Sequence, residues 1–137
     1  MISHHTALIY VMVLVSAADS DMTDAEFSTI GEIVTHLPVF RDFEVNNLPS
    51  VAASCGELLQ GDNGLDTALD LIKGALPARL CETAYALACD VVASDGQASQ
   101  EELRMLEMLR HRINVDRLVA AAIERGARAR YTAAMES

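Results

Sequence analysis

The chain has 137 residues, 51% of them apolar, and a formal net charge of −10, which gives it enough apolar mass for a real core and too much for a disordered chain. Aromatic residues make up 4%, Trp is absent, and Gly (7) and Pro (3) are scarce, so an aliphatic, all-α fold in a single domain over 1–137 is expected. The acidic balance argues against a nucleic-acid-binding domain, which carries a basic face.

Taken in chain order, the first element is a nearly unbroken apolar run, Thr6 to Ala18, inside an expected helix from His5 to Ala18. Spanning a bilayer takes about 20 residues, so no stable membrane insertion is expected. The start Met-Ile-Ser-His-His lacks the basic residues of a signal peptide. A buried core helix is the reading that remains. His4 and His5 are expected near a frayed terminus. Asp19-Ser20-Asp21-Met22 breaks the helix. Thr23-x-x-Glu26 then matches the capping box, in which the hydroxyl accepts from the third amide and the glutamate reaches back to the cap's own amide. Phe27, Ile30, Ile33, Val34 and Leu37 recur at helical spacing, and Pro38 ends the segment.

Residues 38–48 are expected to be irregular, with Phe40 and Phe43 as anchors. Asn46 or Asn47 is expected to cap a third helix with Pro49 in its first turn. That helix carries Val51, Cys55, Leu58 and Leu59 and stops at Gly61. A turn at Asp62-Asn63-Gly64 leads to a fourth, with Leu65, Leu69, Ile72 and Leu76. Residues 78–94 form a fifth, with Leu80, Ala84, Leu87, Ala88 and Val91 inward. Asp95-Gly96 breaks it, and Ser99 with Glu102 forms a second capping box. The sixth helix carries Leu103, Leu106, Leu109 and Ile113. After a turn at Asn114-Val115-Asp116, a seventh places Leu118, Val119 and Ile123 inward. Seven helices with short connections suit an antiparallel bundle.

An offset of 76 residues lays one part of the chain over another. Glu26 falls on Glu102, Asp19 on Asp95, Thr23 on Ser99, Ile30 on Leu106, Ile33 on Leu109, and Val11 on Leu87. Each copy reads as apolar helix, Asp, short turn, Ser/Thr-x-x-Glu, amphipathic helix. Two similar hairpins packed with approximate two-fold symmetry are expected, with the third and fourth helices between them.

The stretches Ala17-Ala18-Asp19-Ser20-Asp21-Met22-Thr23-Asp24-Ala25-Glu26 and Ala93-Ser94-Asp95-Gly96-Gln97-Ala98-Ser99-Gln100-Glu101-Glu102 resemble the paired A-x-D-G-x-[IVM]-[ST]-x-x-E motifs of the tellurite-resistance TerB-like family. The resemblance covers nearly the whole chain. It implies an all-helical bundle of about seven helices and an association with resistance to tellurite and other stresses, alone or beside other domains such as DnaJ-type ones. It also implies a non-catalytic role, with metal binding suspected from the acidic residues. Ser20 stands where the pattern has Gly.

Asp19, Asp21, Glu26, Asp95 and Glu102 are the candidate site residues. Should the two turns converge, their carboxylates would gather oxygen ligands for a divalent cation, Ca²⁺, Mg²⁺ or Zn²⁺. The competing reading makes them structural: Glu26 and Glu102 complete capping boxes, and Asp19 and Asp95 sit where a helix N-terminus favours an anion. An EF-hand is excluded, since Glu26 is at position 8 of the loop that Asp19 would begin and Gly is missing at position 6. Glu107 and His111, four apart, make at most half a zinc site.

Charge divides along the chain. Residues 1–70 carry eleven acids and one base, and residues 104–137 carry seven arginines and four acids. The arginines at 125, 128 and 130 are read as complementing the last helix's C-terminus. Three cysteines without a CxxC are expected as buried reduced thiols, in a cytoplasmic setting. No glycine-rich phosphate loop, G-x-S-x-G or HExxH occurs, so no enzyme is expected. The expected role is a binding or scaffold module for a cation or an unidentified protein partner, with a homodimer left open. A protein-interaction domain without an ion is the alternative, and a Mg²⁺-dependent hydrolase a third reading.

Overall fold

A computed structural model describes residues 1–19 and 22–134 of the chain. Among these the chain forms α1 (His4–Ser16), α2 (Asp24–His36), α3 (Leu48–Gln60), α4 (Gly64–Ala75), α5 (Ala78–Ala93), α6 (Gln100–Arg112) and α7 (Arg117–Arg130), with two 3-10 turns at Pro38–Phe40 and Val45–Asn47 and no strand. Among the described residues no helix is long and apolar enough to cross a membrane.

The apolar run of the first helix is explained by where it lies. Every residue of α1 from Ala7 to Ser16 is buried, because α1 is enclosed by α3, α4, α5 and α6 with α2 at its side. A helix that is apolar all round needs neighbours all round. Ser3 caps it by accepting from the Thr6 amide at 3.1 Å. His4 opens the helix and His5 is held, contrary to the expected fraying: His5 Nε2 lies 2.9 Å from the Val39 carbonyl, and its ring packs against Phe40 and Phe43. This cluster fastens the 37–47 connection onto α1.

The duplication is visible in the backbone. α2 and α6 each have 13 residues and the same bounds shifted by 76. Their caps share one backbone conformation, φ −73° and ψ 161° at Thr23 against φ −74° and ψ 162° at Ser99. α1 runs along α5, α2 lies on α5, and α6 lies on both α5 and α1. Outside this pair, α3 and α4 pack on α1, whereas α7 packs on α5. The buried side chains form one continuous aliphatic cluster.

Several positions differ from the periodicity reading. Phe27 and Leu103 are 54% and 47% exposed, since the inward faces begin one residue earlier, at Glu26 and Glu102. Leu37 and Leu118 are exposed as well; α7 turns Ala120 and Ala127 to the core instead, and Leu118 is rotated away from that face. Asn47 makes no side-chain cap on α3, which is entered through the 3-10 turn. At the α3–α4 turn the left-handed residue is Asn63, φ 55°. Gly64 is there for space: a Cβ would stand 2.2 Å from the Leu58 carbonyl oxygen. Arg112 at the end of α6 reaches across to Asp70 at 2.9 Å and Asp66 at 3.3 Å on α4.

Candidate functional site

Each motif builds a complete capping box. Thr23 Oγ1 accepts from the Glu26 amide at 3.1 Å, and Glu26 Oε1 accepts from the Thr23 amide at 3.0 Å. Ser99 Oγ accepts from the Glu102 amide at 3.0 Å, and Glu102 Oε1 accepts from the Ser99 amide at 3.0 Å. The pattern satisfies helix-end amides that would otherwise lack partners.

These boxes differ from ordinary surface caps in burial. Glu26 is 1% exposed and Glu102 is 2% exposed, and the two lie close enough for Glu102 to act on the Glu26 carboxyl. A residue that meets its own repeat equivalent lies on the axis relating the two copies, as in an isologous contact. The two motif turns therefore converge, with one carboxyl group from each at the centre.

Two carboxyl groups in contact cannot both be ionised at low cost. Burial, the neighbouring Glu102 carboxyl and the charge of Asp95 push the Glu26 carboxyl up to about 8 from an ordinary 4.5; the Thr23 amide acts in the opposite direction. Its second oxygen, Oε2, is buried with no donor in reach. A carboxyl held this high in the interior carries a proton at neutral pH.

The other candidate residues surround this centre unequally. Asp95 is exposed on the turn after α5 and near enough to raise the Glu26 carboxyl by its charge. It also accepts from the Gln97 amide at 3.0 Å, closing the tight turn that Gly96, φ 81°, allows. Asp19 is half-buried in the turn after α1 and is engaged in an interaction of its own. Asp21, and with it the Ser20 departure, lies outside the described residues. Among the described residues no three His, Cys, Asp or Glu side chains gather closely enough to hold a metal ion. The buried pair supplies two oxygen ligands, the chemistry a hard cation takes, against the six to eight that Ca²⁺ uses.

Glu107 and His111 lie together on the exposed face of α6. The Arg110 guanidinium approaches His111 Nε2 at 3.2 Å, and a cation on that nitrogen disfavours zinc there. The three cysteines are free, Cys55 and Cys89 buried and Cys81 half-buried. Burial pushes the Cys55 and Cys89 thiols up to about 12, so neither is a nucleophile at neutral pH. Arg130 pairs with Asp90 of α5, a specific partner where only the helix terminus was expected.

The sequence reading missed a second feature. A groove of about 1040 Å³ opens between α6 and α7 with α5 as its floor. Tyr85 and Cys89 lie at its base, and the Tyr85 hydroxyl donates to Glu124 of α7. Exposed Leu103 on one wall and Ala121 on the other were its only sequence traces, and both also fit a core stripe.

The family model for the tellurite resistance protein TerB matches residues 5–125 of the chain. No curated protein and no solved structure matches it.

Proposed function

Since the chain belongs to the tellurite resistance protein TerB family, we propose that it works as a non-catalytic binding and scaffold module in a tellurite- or metal-related stress response, and that its motif centre takes a divalent cation. The observation that supports this is the pair of buried capping-box carboxyls meeting at the junction of the two motifs, with Glu26 Oε2 lacking a donor. Glu26 and Glu102 would be the inner ligands, with Asp19, Asp21 and Asp95 on the adjoining turns. A hard cation would supply there the positive charge that the proton otherwise provides. Three free thiols suit a reducing, cytoplasmic setting.

Thermal unfolding with Ca²⁺, Mg²⁺ or Zn²⁺ tests the reading. A ligand of the native state raises the melting temperature, by roughly 5 °C or more at a hundred times its Kd. Asp19→Asn with Asp95→Asn should abolish that rise. Absence of any shift at millimolar ion removes the cation and leaves the second reading, a protein-interaction domain without an ion. That reading is favoured by one observation, the lack of a three-ligand group among the described residues. Phosphatase or esterase turnover in a substrate panel would instead support a metal-dependent hydrolase.

A further inference from the structure

The groove on α5 has the shape, lining and charge of a seat for one more helix. Its walls, α6 and α7, both rest on α5 but stand apart, and the space between them is open to solvent. Along α7 the lining runs from Arg117 through Ala121 and Glu124 to Arg128. Those positions are spaced 4, 3 and 4, so they form one stripe down the helix. First and last are eleven residues apart, about 17 Å at 1.5 Å for each step. That is three helical turns, in a trough with helical walls.

The lining is apolar where it is deep. Leu103 and Leu106 of α6 face Ala120, Ala121 and Ala127 of α7 across it. Leu103 is 47% exposed, an apolar side chain that the chain's own residues do not cover. The alanines matter because small residues on one wall let a second backbone come close.

The duplication points to a helix as occupant. The first half packs two helices outside its central one, α3 and α4 on α1; the second packs only α7 on α5. The groove opens on the side that has one outer helix fewer.

Charge then sets the chemistry of the occupant. The chain as a whole is −10, yet arginines stand at both ends of the groove's α7 wall. Arg117 and Arg128 make no ion pair among the described residues, the pairs there being those of Arg112 and Arg130. Of the two acids in the lining, Glu124 already accepts from Tyr85, and Glu107 is one turn from Arg110 on α6. The ends of the trough thus call for anions, in a molecule whose remaining surface repels them.

We propose that this groove binds an amphipathic helix of a partner protein, about three turns long, with an apolar face directed onto Leu103 and Ala121 and acidic residues along its flanks meeting Arg117 and Arg128. The apolar face provides most of the affinity, and the arginines provide orientation and on-rate. This interface is independent of the carboxyl pair and holds whether or not a cation binds there.

The test uses the full chain and two labelled synthetic helices of 14 residues. Both carry leucine on one face; one has glutamate on its flanks and the other lysine. Fluorescence anisotropy should show the glutamate peptide binding at least 10-fold more tightly, with the difference shrinking at 0.5 M salt as screening demands. Ala121→Trp, a substitution at an exposed position that fills the trough, should weaken binding at least 10-fold. Arg117→Glu with Arg128→Glu should invert the peptide preference, and circular dichroism melts should show both variants folded. In the unaltered protein, amide shifts on peptide addition should centre on Leu103, Ala121 and Tyr131. Equal affinity for the two peptides, no binding at millimolar peptide, or shifts centred elsewhere would overturn the proposal. So would a wild-type dimer that Ala121→Trp dissociates, because a second copy would then be the occupant.

Discussion

Glu26 meets two demands at once: it closes a capping box and lies buried beside its repeat equivalent, Glu102. Its raised carboxyl has a definite consequence for stability. The folded state holds a proton that the unfolded state releases near pH 4.5, so the stabilisation is complete below about 4.5 and is lost as pH rises through about 8. Denaturant unfolding between pH 5 and pH 8.5 should show stability falling by a few kcal/mol, with a slope of at most about 1.4 kcal/mol for each step of one in pH. Glu26→Gln keeps an acceptor for the Thr23 amide and offers a neutral donor to Glu102. It should remove most of that fall and leave the protein at least as stable as the parent at pH 8. Glu26→Ala loses the bond to the Thr23 amide and should cost roughly 1–3 kcal/mol at pH 6. The capping boxes were legible in the sequence because their spacing is local. The burial of their glutamates was not, because an acid three residues into a helix reads as a surface cap unless the other half of the pair is known to lie against it.

Element boundaries follow local chemistry, and the duplicated pair was therefore the most legible part of the fold. Thr23 and Ser99 start α2 and α6 at equivalent places, and Asp116 starts α7 by accepting from the Leu118 and Val119 amides. Asp116→Ala should cost about 1 kcal/mol in chemical denaturation. Arg112→Ala should cost less than 1 kcal/mol, because Asp66 and Asp70 are largely solvated and surface ion pairs contribute little. Equal losses would contradict this ranking. Gly64→Ala should be more costly than either, since its Cβ has no room against the backbone of α3. Which apolar residue faces inward was harder to read. Phe27 and Leu103 keep helical spacing with buried neighbours, yet the inward turn of the adjoining glutamates leaves both exposed. His5 on the Val39 carbonyl and Arg112 on α4 connect residues 34 or more apart, and pattern within one helix carries no trace of such contacts.

For the whole molecule the duplicated hairpins act as a frame with a charged centre. α1 and α5 form its spine, and α1 is the element whose loss would be felt most. Leu8→Ala or Met12→Ala, each at a fully buried position, should cost roughly 2–5 kcal/mol. The remaining helices differ between the halves, with two on α1 and one on α5, and that difference opens the groove. The repeat named convergence of the motifs as one reading beside that of structural caps. The groove was not foreseeable from it, because an empty space between two helices leaves no periodic signal.

At the centre of that frame, the buried Glu26 carboxyl lies beside Glu102 at the junction of the two copies and is pushed up to about 8. Carbon-13 NMR of the glutamate carboxyls, followed from pH 3 to pH 9 in the ion-free protein and in Glu102→Gln, tests this most directly. The expected result is a coupled titration in the parent with one step far above 4.5 and near 8, altered when Glu102 is replaced. If Glu26 titrates in the ordinary range and is indifferent to the replacement of Glu102, the two carboxyls do not interact and the reading of the site is contradicted.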